Sequence, residues 1–175
     1  NEDDTVVVKP IFLDFKKRAL FEDHILLFFT GITRFASDIL KVQNAGVDTH
    51  FETYKKMSDS VFDFEKMLLA GDMEGMGRML HDGWRAKKSL AGNISNPLID
   101  SLYETGRSHG AWGGKVLGAG GGGCVLFLAP TQKHDEIREA VKKVASKNNL
   151  LSEGFREVPV KFVQSGADVL FNAKQ

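Results

Sequence analysis

Lys115-Val116-Leu117-Gly118-Ala119-Gly120-Gly121-Gly122-Gly123-Cys124-Val125-Leu126-Phe127-Leu128 is the stretch on which the fold turns. Five of the six residues from Gly118 to Gly123 are glycine, with apolar residues on both sides. Without a Cβ, such a loop can adopt positive φ and let another group approach bare backbone N–H groups. A row of those donors can form a concavity for an anion. Cys124 to Leu128 is a short apolar run closed by Ala129-Pro130, the pattern of a buried strand and not of a helix start. The loop is therefore expected between two strands. Two readings stand at this point: a tight hairpin whose glycines allow close packing, or a backbone cradle for phosphate.

The neighbours of the loop exclude the two commonest phosphate loops. Gly118, Gly120 and Gly123 satisfy G-x-G-x-x-G, but a dinucleotide fingerprint must open a helix. A P-loop must end in Lys and Ser or Thr, and Cys124-Val125 follows here. From Gly118 to Gly123 there is no charged or hydroxyl side chain. Phosphoryl transfer needs a metal, cationic charge and a group that orients the nucleophile. The loop could serve such chemistry only as a supporting wall.

Working outward, Thr5 to Leu13 is β-branched and apolar with Pro10 inside it, and predicts a first strand at a sheet edge or one bent at Pro10. Asp14 to Asp23 is a charged stretch, and His24 to Phe29 reads as a strand buried on both faces. A helix is predicted from about Arg34 to Asn44, capped by Thr33, with Phe35, Ile39 and Val42 on its core face and Gly46 at its end. Tyr54, Met57, Val61, Phe64 and Leu68 form the stripe of an amphipathic helix that breaks at Gly71-Asp72. A second helix runs from about Met73 to Leu90 with Met76, Leu80 and Trp84 inward. Its Gly75, Gly77 and Gly83 each lower helix propensity by about 1 kcal/mol and mean close packing or a nearby ligand, with packing preferred.

Ser95-Asn96-Pro97 is a helix start, with Asn96 as N-cap and Pro97 at the first turn. That helix turns Ile99, Leu102, Tyr103 and Gly106 inward. After Pro130, Thr131 is expected to cap a helix with Ile137, Ala140, Val141 and Val144 on its core face. Glu157 to Gln164 alternates as a strand, and Val169 to Phe171 could add a short last one. The sum is an α+β fold, an antiparallel sheet with helices packed on one face.

Composition narrows the functional classes. The 175 residues carry 23 basic and 23 acidic side chains, which gives no electrostatic reason to expect nucleic acid or an anionic membrane. No apolar run approaches the roughly 20 residues that span a bilayer. One cysteine and an acidic, polar start point to a cytoplasmic location. Asn1 in place of methionine fits a piece of a longer protein. His24, His50, His81, His109 and His134 are scattered without metal-ligand spacing, so no metal site is expected. Cys124, inside an apolar strand, is read as core packing. Arg85, Lys87 and Lys88 beside Trp84 could reach an anionic substrate, and a solvated helix face is the preferred reading.

The glycine-rich segment Gly118 to Cys124 resembles the third signature motif of the GHMP kinases. Phe29-Thr30-Gly31-Ile32-Thr33-Arg34, at a strand end, resembles the segment that these kinases bring near their substrate. The pattern of 27–40, 84–97 and 113–128 is similar to the branch that acts on D-glycero-α-D-manno-heptose 7-phosphate. The resemblance extends from about Val6 onward and covers the C-terminal half of such an enzyme. It implies a ferredoxin-like domain over 1–175, with residues up to about 20 a remnant strand and linker. It also implies ATP and Mg as cofactors, held mainly by an N-terminal kinase domain, and a sugar phosphate substrate.

By the same resemblance, the backbone of Gly118, Ala119, Gly120, Gly121, Gly122 and Gly123 would line the nucleotide side. Thr30 and Arg34 would line the acceptor side. The family's Ser/Gly-rich phosphate loop, its catalytic Asp and its Mg-holding Ser or Glu have no counterpart here, so no catalytic residue is assigned and the chain alone is expected to be inactive. Another GHMP kinase, galactokinase-like or of mevalonate type, shares the motif. A stand-alone binding or regulatory module is the reading from a different class, and a homodimer is left open.

Overall fold

A computed structural model describes residues 5–163. Four strands make one antiparallel sheet: β1 (Ile25–Phe29), β2 (Gly113–Val116), β3 (Cys124–Leu128) and β4 (Arg156–Glu157), in the order β2-β3-β1-β4. Ile25 pairs with Leu128 and Phe29 with Cys124, so β1 and β3 are matched along their whole length. Both are continuously apolar because both of their faces are covered. Helix α5 (Pro97–Ser108) precedes β2, and α6 (His134–Lys147) links β3 to β4, which completes the split βαβ arrangement of a ferredoxin-like sheet.

On one face, Leu26, Phe28, Val116, Val125 and Phe127 pack against Ile99, Leu102 and Tyr103 of α5 and Ile137, Val141 and Ala145 of α6. Full burial of each large apolar side chain contributes about 1.5–3 kcal/mol. Gly106 lets α5 settle on this face, since a Cβ there would stand 2.4 Å from Phe127 Cζ. The α5 start is as its sequence predicts: Asn96 Oδ1 accepts from the N–H groups of Leu98 (3.1 Å) and Ile99 (3.0 Å), with Pro97 behind it.

The fold class is the expected one, and α5 and α6 form the expected helical layer. The other face is not bare, however. Ile25, Leu27, Leu126 and Leu128 pack against Phe21 of α1 (Phe15–Asp23), Leu68 of α3 (Phe51–Ala70) and Met73 and Met76 of α4 (Met73–Lys88). Helix α4 comes against the β2 backbone itself. A Cβ on Gly113 would fall 1.8 Å from Gly77 O, and one on Gly77 would fall 2.6 Å from Trp112 Cβ. Gly71, at φ +79°, makes the left-handed stop between α3 and α4, and Asp72 caps α4 by accepting from Gly75 N–H at 2.8 Å.

Several local expectations are corrected. Thr5–Leu13 forms no strand among the described residues; Val6, Val7 and Val8 stand exposed, without a strand partner to satisfy the pattern. The charged stretch after it is helical, because Asp14 Oδ1 accepts from Lys17 N–H and starts α1. In α2 (Ala36–Ala45), Ile39 and Gln43 are buried, whereas Phe35 is the N-cap and 80% exposed. Thr33 lies outside that helix and does not cap it. Val61 of the α3 stripe faces outward, and α4 ends at Lys88, two residues before Leu90. Thr131 opens a 3-10 turn (Thr131–Lys133) and caps nothing, so α6 begins at His134. Glu157–Gln164 yields pairing at Arg156–Glu157, extended by the bond from Val158 N–H to Leu27 O. Val169–Phe171 lies outside the described residues.

Candidate functional site

Residues 117–123 join β2 to β3. Leu117 N–H donates to Cys124 O at 2.8 Å, which closes the hairpin mouth. Beyond it, Gly118 (φ +74°), Gly120 (+110°), Gly121 (+69°) and Gly123 (+83°) all occupy the left-handed half of backbone space, where a side chain would be strained. Their succession lets the loop fold back against two other segments. Gly121 N–H donates to Ile94 O (2.6 Å) and Gly123 N–H to Ile32 O (2.9 Å). A Cβ at Gly120 would meet Ile94 O at 2.5 Å, and one at Gly122 would meet Ile32 O at 2.6 Å.

The loop carbonyls are also taken up. Gly123 O accepts from Thr30 N–H (2.9 Å) and from the Thr30 hydroxyl (2.8 Å). Ala119 O accepts from Gln43 Nε2 at 3.2 Å, Gly121 O from Asn96 Nδ2 at 3.4 Å, and Gly118 O from the Lys87 ammonium. Among the described residues, no partner meets the N–H groups of Gly118, Ala119, Gly120 and Gly122. With four of its six carbonyls engaged and part of its donors unpaired, the loop's local field favours an anion on the accessible side of Gly118 and Ala119.

Three cations surround it. Arg34 lies on Gly121, where a Cβ would meet Arg34 Nε at 2.3 Å, and that Nε is buried without a hydrogen-bond partner. Its Nη1 donates to Phe35 O at 3.3 Å. Lys87 comes from α4, and Lys115 from β2. Burial, and then the charges of Lys115 and Arg34, hold the Lys87 ammonium below the usual lysine value. Among the described residues none of the three forms an ion pair with a carboxylate.

The structure thus gathers all of the sequence-predicted residues into one place, in different roles. Gly118 to Gly123 form a braced loop. Arg34 lies against it, and Thr30 lies beneath it. Thr30 is wholly buried, and its hydroxyl both donates to Gly123 O and accepts from Ile32 N–H (3.2 Å), so it braces the loop instead of facing a ligand. Lys87, expected on a solvated helix face, reaches the loop 31 residues away in sequence. The packing of α4 beside the hairpin brings it there; the sequence offered the cation as one that could reach an anion, but not its place at the loop. Lys115 could have been noticed from its place just before the glycines. Burial pushes the Cys124 thiol up, in keeping with a packing role. Among the described residues, no group of three His, Cys, Asp or Glu side chains is placed to hold a metal, and no helix is long and apolar enough to cross a membrane.

Residues 64–147 match the family model described as GHMP kinases C terminal. That stretch, 84 of the 175 residues, is similar to the C-terminal domain of the GHMP kinases. The chain is similar to the D-glycero-alpha-D-manno-heptose 7-phosphate kinase of Campylobacter jejuni, 29% identical over 141 residues that make up 79% of this chain and 42% of that protein. It is also similar to a galactokinase of Mannheimia succiniciproducens, 31% identical over 54% of this chain and 25% of the relative. Among solved structures, a D-glycero-D-manno-heptose 1-phosphate kinase from Bacteriodes thetaiotaomicron shares the fold with a TM-score of 0.60 and 22% identity, covering 90% of this chain and 38% of that one. The chain spans less than half the length of the curated relatives it matches.

Proposed function

We propose that this chain is the C-terminal part of an ATP-dependent kinase whose acceptor is a sugar phosphate, D-glycero-D-manno-heptose 7-phosphate before other candidates, phosphorylated at the anomeric hydroxyl. The observation that carries the reading is the braced glycine hairpin, with free N–H groups and three cations lacking counter-charges around it. Phosphate groups fit that donor set. Bound ATP would supply the phosphoryl group, with Mg held chiefly by the absent N-terminal domain. Gly118 and Ala119, the accessible pair, would offer main-chain donors to the nucleotide phosphates, with the buried Gly120 and Gly122 behind them. Arg34, once lifted from Gly121, can pair bidentately with a phosphate on the acceptor. Thr30 keeps the loop in register.

A stand-alone module is disfavoured by the surface. Phe35 is 80% exposed beside Arg34, and Val6, Val7, Val8 and Phe12 are open as well. Phe35, exposed next to the Arg34 that lies on the loop, suits a face that another domain covers, here the N-terminal kinase domain of a cytoplasmic enzyme. The test is turnover by the full-length protein with Mg-ATP and, in parallel, heptose 7-phosphate, galactose and mevalonate. The expected result is phosphorylation of the heptose phosphate, reduced at least about tenfold by Gly121→Ala, a loss of about 1.4 kcal/mol in transition-state stabilisation. Preference for galactose or mevalonate would replace the acceptor and keep the kinase. No turnover on any of the three, or enzyme-like turnover by the 175-residue chain alone, would overturn the reading.

A further inference from the structure

A second site lies away from the hairpin's free N–H groups, between α3 and α4. The three glycines of α4 separate it from ordinary packing. Gly77 is needed for contact with Trp112 and Gly113, and a Cβ on Gly75 would strike the Asp72 carboxylate that caps the helix. Gly83 has no such reason: a Cβ there would meet nothing within 4 Å. A glycine in a helix interior is unfavourable relative to alanine, and this one opens onto a cavity of about 220 Å³. Met57, Val61, Phe64, Leu80 and Trp84 give it apolar walls, and its charged lining groups are Lys87 and Lys115. Trp84 is 1% exposed, and its indole Nε1 has no hydrogen-bond partner. A buried donor of that kind is costly unless something accepts from it.

We propose that this cavity binds a small anion carrying one aromatic or branched aliphatic group, an aryl phosphate or carboxylate in chemical class. Apolar walls alone would suit a neutral hydrocarbon, and an apolar cavity of about 150 Å³ already holds benzene. The extra volume leaves room for a head group, and two lysines without carboxylate partners favour a negatively charged one. Lys87 links the cavity to the loop, because its ammonium donates to Gly118 O. A ligand that draws Lys87 away frees that carbonyl, so occupancy is communicated to the hairpin. This inference does not rest on the kinase reading, which survives its failure.

Phenyl phosphate is the probe, titrated into the 15N-labelled 175-residue chain and followed at the Trp84 indole N–H and the Gly118 amide. Both signals should shift saturably. Inorganic phosphate and benzyl alcohol should each bind at least about tenfold more weakly, the factor that separates two-part from one-part recognition here. Gly83→Leu should abolish the Trp84 shift, and Lys115→Met should weaken it. Val61→Trp, at a largely exposed position on the same cavity, is a second blocking variant should Gly83→Leu fail to fold. Equal binding of inorganic phosphate would show that the apolar walls contribute nothing to recognition and overturn the proposal. So would unchanged binding in a folded blocking variant, or no saturable shift into the millimolar range.

Discussion

Alanine at each of four glycines should give four different stabilities, ranked by what each Cβ would meet. At Gly83 nothing stands within 4 Å, so Ala adds only its helix propensity and should stabilise the chain by about 1 kcal/mol. At Gly75 the same gain is opposed by Asp72, whose Oδ2 lies 2.1 Å from the new Cβ. That carboxylate can turn away, but the cap it makes is worth about 1 kcal/mol, so the net change should be near zero. At Gly77 the obstacles are Trp112 Cβ at 2.6 Å and its carbonyl carbon at 3.3 Å, which cannot swing aside. Overpacking of this kind costs about 1–3 kcal/mol, so even after the propensity gain the chain should lose about 1–2 kcal/mol. Gly113→Ala sets a Cβ 1.8 Å from Gly77 O with no helical gain to offset it, and should cost at least about 3 kcal/mol. Urea midpoints compared at constant m-value measure all four. If Gly77→Ala proved as stable as Gly83→Ala, helix α4 would not lie on the β2 backbone.

The Thr30→Val variant keeps the shape of a fully buried side chain and removes its hydroxyl. It leaves Ile32 N–H unpaired and should cost about 1–3 kcal/mol by thermal or urea unfolding, with faster amide exchange at Ile32 and Gly123. A loss confined to exchange elsewhere would refute the bracing role. For pH, burial first of all holds both His134 and His81 below the ordinary histidine value of 6.5. Between each lowered value and 6.5 the unfolded chain binds more protons than the folded one. Stability is therefore greatest above 6.5, falls as pH drops through that window and levels off below the lowered values. His134 Nε2–H donates to Ala129 O at 3.3 Å, so His134→Gln should keep a donor there and flatten part of the slope in urea midpoints taken from pH 7.5 downward. An unchanged slope would show that His134 is not among the groups responsible.

What could be read from the residues in order was whatever is local. Asn96-Pro97 starts α5 with donors two and three residues on, Gly71 ends α3 by its own φ, and apolar runs at 25–29 and 124–128 need no knowledge of the rest of the chain. The same logic fails where the deciding partner is remote. Val6, Val7 and Val8 have strand chemistry but no strand beside them among the described residues. Phe35 and Val61 fit an apolar periodicity and still face outward, because periodicity reports a face and not what covers it. Helix α1 has its cap at Asp14 but no buried residue to give it a stripe, so composition hid it. At the candidate site the loop itself was legible. Lys87, Gln43 and Asn96 were not, since each reaches it from 25 or more residues away.

The two readings first open for the glycine loop turn out not to compete. Close packing is what Gly120 and Gly122 provide, against Ile94 O and Ile32 O. Unpaired donors are what the same conformations leave at Gly118, Ala119, Gly120 and Gly122, open to solvent at Gly118 and partly at Ala119. A floppy loop with the same N–H groups would have to be ordered by its ligand at about 1–2 kcal/mol for each residue. Here the segment after β1, helix α2 and the turn before α5 have already ordered it through Thr30, Ile32, Gln43, Ile94 and Asn96. Those contacts also engage the carbonyl oxygens of Ala119, Gly121 and Gly123, which would otherwise repel an anion. Packing is therefore the means by which the loop becomes a receptor. Substitutions at Thr30, which has no hydroxyl to spare for a ligand, should weaken anion binding through the loop's order alone.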